Sequence, residues 1–306
     1  IVSLREDLLK ILNENKELKP LDNDLRELFK SWFNPGFLKL AKITWDTKAA
    51  VLEKIIQYER VHKIKDMNEL KRRLGEDRRF FSYFHPALDD EPIIFVQVAL
   101  TNGLGKSIQE IMKPSAEGAK KYDTATFYSI SNCQEGLSRV TLGNFLIKRV
   151  VYEIQEELPN IKNFGTLSPI PGFRDWFTTL DEKIIQNILG KIPYSNVSFL
   201  KSKDLKVGDG RIVSNKHAIT KLVAHYLMNE KNKKGLPIND VCRFHLGNGA
   251  IIDDININAN VSEVGLNRSF GVMVNYLYEL KNIEKNHEDY INNKKIIISD
   301  KLKKKL

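Results

Sequence analysis

The side chains best suited to chemistry lie in two short stretches that are far apart in the chain. Residues 166–173 (TLSPIPGF) place a hydroxyl directly before a Pro-x-Pro-Gly bend, and residues 243–250 (RFHLGNGA) place an imidazole ahead of an Asn-Gly turn. A residue before proline favours an extended backbone, and Pro-Gly turns the chain sharply, so the Ser168 hydroxyl is expected to point in a fixed direction. If the fold brings Ser168 and His245 together, the pair can hold and transfer a proton in an apolar environment.

Structural roles remain open for both residues at this point. Ser168 could cap a helix that starts near Phe173, although five residues separate the two, and a lone histidine between apolar residues is often a core residue. The chain has no G-x-S-x-G elbow, and its other histidines show no metal-ligand spacing, so neither that type of serine hydrolase nor a metal site is predicted. Cys133 and Cys242 are the only cysteines, which argues against a disulfide framework and for a reducing, cytoplasmic location.

The elements that must position these residues can be read from the hydrophobic pattern. Apolar residues recur at helical spacing through the first third, in segments that stop at residues 34–36 (NPG) and at Gly75. Further along, the predicted strands are 79–84, 92–100, 125–130, 163–167, 250–257 and 270–280, and the predicted helices are 142–158, 173–189 and 216–229. The strand at 163–167 delivers Ser168 to its bend. Such a mixture is typical of an α/β or α+β domain behind a helical segment.

The junction between the predicted strand at 125–130 and the helix at 142–158 is a candidate anion site. The first turn of a helix leaves backbone N–H groups unpaired and carries part of the positive end of the helix dipole, so phosphates bind there. The turn supplies glycines and side-chain donors: Gly136, Ser138, Arg139, Thr141 and Gly143. Taken alone, the pattern favours a purely structural connection over a ligand site, because a glycine-containing turn ahead of a helix is common.

Bulk properties exclude several classes of protein. A chain of 306 residues is longer than a single hydrophobic core usually supports, so one large or two unequal domains are expected. More than half of the formal charge of +9 lies in residues 294–306, which hold six lysines and one aspartate and predict a mostly solvated basic tail. No nucleic-acid-binding signature and no apolar run of membrane-spanning length is present. The first residues lack a secretory signal and an initial Met, so the chain is expected to be a fragment or a processed product.

Together with residues 275–278 (NYLY), the two stretches resemble the signature of malonyl-CoA decarboxylases, and the resemblance runs from about residue 25 to residue 290. The catalytic half of that family is similar to GNAT-type acetyltransferases. The resemblance therefore implies an α+β (mixed α/β) fold. Residues 1–36 would end an N-terminal helical oligomerisation domain, and residues 37–306 would form a GNAT-like acyl-CoA-binding catalytic domain. The helical part is shorter than the family's N-terminal domain.

The same resemblance implies roles for individual residues. Ser168 and His245 match a catalytic dyad that also contacts substrate, and Tyr278 matches a supporting tyrosine, although it could also simply alternate on one face of a strand. The residues that match the family's acyl-CoA loop are Ser138, Arg139, Val140, Thr141, Leu142, Gly143 and Asn144. Some members carry a catalytic glutamate at the position of Thr141, and because a hydroxyl cannot replace a carboxylate as a base, Thr141 is assigned to binding only.

The activity implied by the resemblance is the conversion of malonyl-CoA to acetyl-CoA and CO₂ through an enolate. It needs neither a metal nor an organic cofactor, since coenzyme A is part of the substrate. The expected partners are malonyl-CoA and acetyl-CoA and further copies of the chain, as a dimer or tetramer, but no nucleic acid or membrane. Where relatives commonly have Arg, Trp and Asp, this chain has Asp254, Ile257 and Asn260. A CoA-dependent acyltransferase and a non-catalytic acyl-CoA-binding protein therefore remain alternatives.

Overall fold

A computed structural model describes residues 1–113, 122–138, 140 and 146–306. The helices are α1 Val2–Ile11, α2 Lys19–Trp32, α3 Ala49–Tyr58, α4 Met67–Arg73, α5 Ile108–Met112, α6 Leu146–Glu157, α7 Phe173–Thr179, α8 Glu182–Leu189, α9 Gly210–Ser214, α10 Lys216–Met228, α11 Asp240–Gly247, α12 Glu263–Ser269, α13 Ile283–Asn293 and α14 Asp300–Lys303. The strands are β1 Lys39–Lys42, β2 Arg78–Phe84, β3 Pro92–Thr101, β4 Thr124–Asn132, β5 Asn163–Thr166, β6 Ser168–Pro169, β7 Ile251–Asn256 and β8 Met273–Leu277. The predicted mixture of helices and strands behind N-terminal helices is confirmed. Across the described residues, no helix is both long enough and apolar enough to span a bilayer.

The described residues form two compact units. The first contains residues 1–100, 122, 127–138, 140 and 146–161, and the second contains 101–113, 123–126 and 162–306. This division differs from the predicted boundary after residue 36. The predicted boundary separates an oligomerisation segment from a CoA-binding domain, and this functional division stays a prediction.

In the first unit the strands follow the order β1-β2-β3-β4, with β1 and β2 antiparallel and β2 and β3 antiparallel. Strand β3 is an apolar, β-branched run that is buried along almost its whole length, as expected for a central strand. Helices α3 and α4 place their apolar faces on β2 and β3, and the resulting core contains Ile43, Val51, Leu52, Ile55, Ile64, Leu70, Phe80, Phe95 and Cys133.

In the second unit, β8 is the central strand and pairs antiparallel with β5, β6 and β7. The register places Gly165 opposite Leu277 and Ser168 opposite Val274, so β5 and β6 lie along β8 one after the other. On the other side, β7 pairs with β8 over its length, with a bulge between Ile252 and Asp254. Of the two stretches singled out in the sequence, the one with Ser168 therefore enters this sheet, and the one with His245 lies in α11, the helix that precedes β7.

Several element boundaries differ from the predictions. The predicted helix at 173–189 is two helices, α7 and α8, separated by a break at residues 180–181. The predicted strand at 270–280 begins only at Met273, because Phe270 ends α12 with a left-handed backbone, φ +55°. Helix α11, which carries His245, and the short strand β1 were not predicted. The part of the predicted 142–158 helix that precedes Leu146 lies outside the described residues.

As predicted, the lysines of the basic tail are exposed, but the backbone that carries them is folded. The last residues form α14, which is capped by Ser299 and packs against β7 through the fully buried Leu302. The Lys301 ammonium lies 2.8 Å from a carboxylate oxygen of the buried Asp254, and Lys305 pairs with the same carboxylate. Burial raises the pKa of Asp254, but hydrogen bonds from these two lysines outweigh it and hold the pKa below its usual value.

We therefore expect the double substitution Lys301→Met and Lys305→Met to lower the free energy of unfolding by about 2 kcal/mol, because Asp254 keeps its burial and loses its cationic partners. The matched control is Lys303→Met, whose ammonium pairs with the exposed Asp300 and should matter by no more than about 0.5 kcal/mol. Urea unfolding measures both. Equal, small effects of the two changes would show that α14 is not held by this pairing.

Candidate active site

The structure places Ser168 and His245 in direct contact, although they are 77 positions apart in the chain. The Ser168 Oγ lies 3.0 Å from Nε2 of His245, and both residues are buried. Ser168 is the first residue of β6, whereas His245 lies in the last turn of α11. The fold therefore brings the hydroxyl and the imidazole within hydrogen-bond distance, as a proton-transferring pair requires.

Helix α11 turns His245 inward because of its apolar spacing and its cap. Cys242, His245 and Leu246 share the buried face, at the three- and four-residue spacing of a helix. The helix starts at Asn239, whose side-chain oxygen accepts a hydrogen bond from the Cys242 N–H at 2.8 Å. This N-cap satisfies a backbone donor that would otherwise be unpaired and sets where the helix begins.

Asn239 also ties the start of α11 to the bend that follows Ser168. Its side-chain nitrogen donates to the Pro171 carbonyl at 2.8 Å, and the Tyr226 hydroxyl donates to the same oxygen at 3.1 Å. Gly172, at φ +79°, then caps α7, so Ser168 is not the cap of that helix. One asparagine thus connects the segment that carries the serine with the helix that carries the histidine.

Tyr278 completes the contacts of the imidazole. Its hydroxyl lies 2.8 Å from Nδ1 of His245, on the opposite edge of the ring from Ser168. Tyr278 follows the last residue of β8, and its N–H donates to the Phe164 carbonyl at 2.8 Å, which holds its backbone beside β5. The Tyr276 ring stacks on the imidazole with a centroid distance of 4.5 Å and an interplanar angle of 27°.

Burial sets the charge of this group of side chains. It lowers the pKa of His245 to about 3, because an imidazolium in this apolar surrounding would lose its hydration. Burial also raises the pKa of Tyr278 well above its ordinary value, so the phenol keeps its proton. At neutral pH the site therefore contains an uncharged imidazole between two hydroxyl groups, able to donate a hydrogen bond from one ring nitrogen and accept one at the other.

Sequence reasoning missed three residues that shape this site: Thr166, Asn239 and Tyr276. Thr166 accepts a hydrogen bond from the Ser168 hydroxyl at 2.8 Å. Its signal was present in the sequence, since residues two apart in an extended segment point to the same side. Asn239 precedes an acidic residue and an apolar run, which is a typical helix start. Nothing in the sequence alone indicated that the Tyr276 ring would stack on the histidine.

Most of the predicted acyl-CoA loop lies outside the described residues, namely Arg139, Thr141, Leu142, Gly143 and Asn144. Ser138 and Val140 are described; Ser138 is exposed and Val140 is buried. The Ser138 carbonyl accepts a hydrogen bond at 2.9 Å from the buried guanidinium of Arg5, which also donates to the Gly136 carbonyl at 2.6 Å. Helix α1 therefore holds the backbone just before this loop.

Two of the three residues that are expected to depart from the family pattern have local contacts. Asp254 binds the lysines of the C-terminal segment. The Asn260 side-chain oxygen accepts a hydrogen bond from the Ser262 hydroxyl at 2.7 Å, beside the start of α12. Ile257, which directly follows β7, is half-buried. Among the described residues, no group of three or more His, Cys, Asp or Glu side chains is arranged to hold a metal ion.

The low pKa of His245 has a measurable consequence. We expect its ring to remain neutral from pH 5 to pH 8, so its side-chain NMR signals should not titrate in that range. Because the folded-state pKa of about 3 lies below the usual value near 6.5, protons bind preferentially to the unfolded chain between these values. The stability contributed by this residue is therefore complete above pH 6.5 and decreases as the pH falls toward 3. A titration midpoint between pH 6 and 7 in the folded protein would contradict this assignment.

The double role of Asn239 can be tested by separating its acceptor from its donor. Asn239→Ser keeps a capping oxygen for α11 but is too short to reach Pro171, whereas Asn239→Ala loses both contacts. We expect Asn239→Ala to lower the free energy of unfolding by about 2 kcal/mol and Asn239→Ser by about 1 kcal/mol, measured by urea unfolding. Identical losses in the two variants would mean that the cap of α11 contributes nothing, and wild-type stability of Asn239→Ser would mean that the bond to Pro171 contributes nothing.

Comparison with known proteins assigns the chain to a family. Residues 36–306 match the sequence pattern of the malonyl-CoA decarboxylase C-terminal domain, and residues 1–33 match that of the malonyl-CoA decarboxylase N-terminal domain. Mitochondrial malonyl-CoA decarboxylases from Anser anser anser and Rattus norvegicus are 37% and 36% identical over 99% of this chain. The chain spans 65% and 66% of the length of these two relatives.

A solved structure agrees with these sequence matches. The malonyl-CoA decarboxylase from Rhodopseudomonas palustris superposes with a TM-score of 0.86 at 41% sequence identity. The superposition covers 99% of this chain and 74% of that one. From the sequence patterns, the identities and the shared fold we conclude that the chain belongs to the malonyl-CoA decarboxylase family.

Proposed function

We propose that this chain decarboxylates malonyl-CoA to acetyl-CoA and CO₂, with Ser168 and His245 as the reacting pair. The contact between Ser168 Oγ and His245 Nε2 in a member of this family is the observation that carries the proposal. The chain spans about two thirds of the length of its curated relatives, so the activity is proposed from the site and the family together.

Decarboxylation requires a group that accepts the electron pair of the broken bond and a donor that protonates the α-carbon. When the bond between the α-carbon and the carboxylate breaks, its electron pair enters the thioester carbonyl and forms an enolate as CO₂ leaves. The α-carbon then takes one proton, which completes acetyl-CoA. Hydrogen-bond donors aimed at the enolate oxygen lower the barrier, each by roughly 3–4 kcal/mol, and a positioned acid contributes typically about 10²–10⁴-fold in rate.

His245 suits the role of proton donor in a specific form. Because its pKa lies near 3, the free protein offers the N–H of a neutral imidazole instead of an imidazolium. The phenol of Tyr278 keeps its own proton and holds the ring through the 2.8 Å contact with Nδ1, and the ring recovers the proton that it has given up from solvent after the products leave. Approach of a substrate carboxylate raises the pKa of the imidazole, so binding itself makes the ring more basic. In this proposal Ser168 binds the departing carboxylate or relays the proton.

Other predictions about this protein also stay proposals. They are the absence of a metal or organic cofactor, a cytoplasmic location, and self-association as a dimer or tetramer. Support for self-association comes from the first unit, where α1, α2 and the following turn leave apolar side chains exposed: Ile1, Leu4, Leu21, Trp32 and Phe37. Ile1, Trp32 and Phe37 also line an open apolar pocket of about 570 Å³.

The activity is tested with malonyl-CoA that carries a labelled carboxyl group. Release of labelled CO₂ together with acetyl-CoA is the expected result. Ser168→Ala and His245→Ala should each lower the rate by about 10²–10⁴-fold while the protein still folds and binds CoA. The matched control is Ser269→Ala, which removes another buried serine hydroxyl, bonded to the Val272 carbonyl, and should keep the rate.

The alternatives give different results in the same assay. Acylation that depends on an added amine would indicate a transferase, and tight binding without turnover would indicate a binding protein. Near-normal turnover by Ser168→Ala or His245→Ala would remove that residue from the mechanism.

A further inference from the structure

We propose that Thr166 is a positioning residue that sets the tautomer of His245 by accepting the hydroxyl proton of Ser168. The assignment of the tautomer is independent of the reaction, whereas its effect on catalysis rests on the proposed function. Thr166 acts on the imidazole through Ser168, whose hydroxyl is hydrogen-bonded to both residues.

The geometry gives the Ser168 hydroxyl a definite direction. Thr166 and Ser168 are two residues apart in an extended segment, so their side chains lie on the same side. The Ser168 hydroxyl donates to Oγ1 of Thr166 at 2.8 Å. Thr166 is fully buried and Ser168 nearly so, so water does not compete freely for this proton.

The Thr166 oxygen is already committed as an acceptor. Besides the Ser168 hydroxyl, it accepts a hydrogen bond from the Tyr276 backbone N–H at 3.3 Å. A hydroxyl oxygen has two lone pairs, and these two donors use both. The threonine oxygen therefore accepts from a backbone N–H of β8, as a strand carbonyl would, and also accepts the proton of the serine hydroxyl.

The protonation of the imidazole follows from this commitment. Since the single proton of Ser168 points to Thr166, Ser168 can only accept from His245, and Nε2 must carry the ring proton. A neutral imidazole has one N–H, so Nδ1 must accept from the hydroxyl of Tyr278. The hydrogen bonds then run in one direction, from Tyr278 through His245 and Ser168 to Thr166.

The backbone of Thr166 is held by an amide network. The side-chain nitrogen of Asn275 donates to the Thr166 carbonyl at 2.6 Å and to the Gly105 carbonyl at 2.9 Å. Its oxygen accepts from the Asn256 side chain at 2.6 Å. The network lies where β5 gives way to β6 and keeps the threonine hydroxyl beside the serine.

For the reaction, the tautomer decides what the imidazole offers to the acyl group. With the proton on Nε2, the ring presents an N–H on the side of Ser168. With the proton on Nδ1, it would present a lone pair there and could not donate. Without the Thr166 oxygen, the nearest acceptor for the Ser168 proton in this network is Nε2 itself, which drives the ring to the second tautomer.

Nitrogen NMR of the full chain tests the assignment directly. The wild-type protein, with His245 assigned by comparison with His245→Gln, should show Nε2 protonated and Nδ1 unprotonated. Thr166→Val removes the hydroxyl at nearly constant volume and should move the proton to Nδ1, whereas Thr166→Ser should retain the wild-type pattern. Nδ1 protonated in the wild type would overturn the proposal even if no variant folds.

Kinetics with malonyl-CoA test the consequence. Thr166→Val should lower kcat by about 10²-fold or more with little change in KM, and Thr166→Ser should restore most of it. Thr220→Val makes the same change at a buried position of α10 and should alter neither kcat nor the tautomer. Full activity of Thr166→Val would overturn the catalytic role. A tautomer shift in a chain whose wild type does not release CO₂ would support the positioning role and refute the proposed function instead.

Discussion

A buried imidazole without charge is stable in a protein only when both of its ring nitrogens have hydrogen-bond partners, because an unpaired polar atom in a dry environment is costly. In this chain the two partners come from different directions, Ser168 from β6 and Tyr278 from the end of β8. The elements of the second unit are arranged so that both hydroxyls reach one ring. The pairing of β6 with β8, the cap of α11 and the bond from Asn239 to Pro171 all contribute to that arrangement.

This constraint also explains the proton chemistry that we propose. A ring with a pKa near 3 does not carry a spare proton at neutral pH, so it can act in two ways only: by donating the proton already on one nitrogen and by receiving another at the opposite nitrogen. The hydroxyl of Ser168 is the partner of Nε2, and the hydroxyl of Tyr278 is the partner of Nδ1. Thr166 determines which direction applies in the resting state. An ordinary hydrogen bond between two hydroxyl groups thus decides the form in which the imidazole meets its substrate.

The C-terminal segment shows how the chain stabilises a carboxylate in a buried strand. Asp254 lies in β7, opposite Asn275 of β8, at a position where a carboxylate would be unfavourable without a cation. Lys301 and Lys305 supply the cations, and the docking of α14 keeps them in place. The charge of Asp254 is therefore balanced within the same unit, close to the strand that positions Tyr278 and Asn275.

Much of the architecture followed from the sequence alone. The β-branched and aromatic runs of β2, β3, β4 and β7 and the apolar spacing in α1, α2, α6 and α10 are local signals, so the strands and helices appeared close to their observed bounds. The residues of the candidate site, Ser168, His245 and Tyr278, were also selected from the sequence, because a serine before a Pro-rich bend and a histidine between apolar residues are unusual and match a family signature. The tertiary structure decided what depends on contacts between distant segments. It placed His245 on α11, docked the basic tail on β7, and stacked Tyr276 on the imidazole. It also linked the helix of His245 to the bend after Ser168, through the hydrogen bond from Asn239 to Pro171. A hydrogen bond between segments dozens of residues apart leaves no periodic trace in the chain.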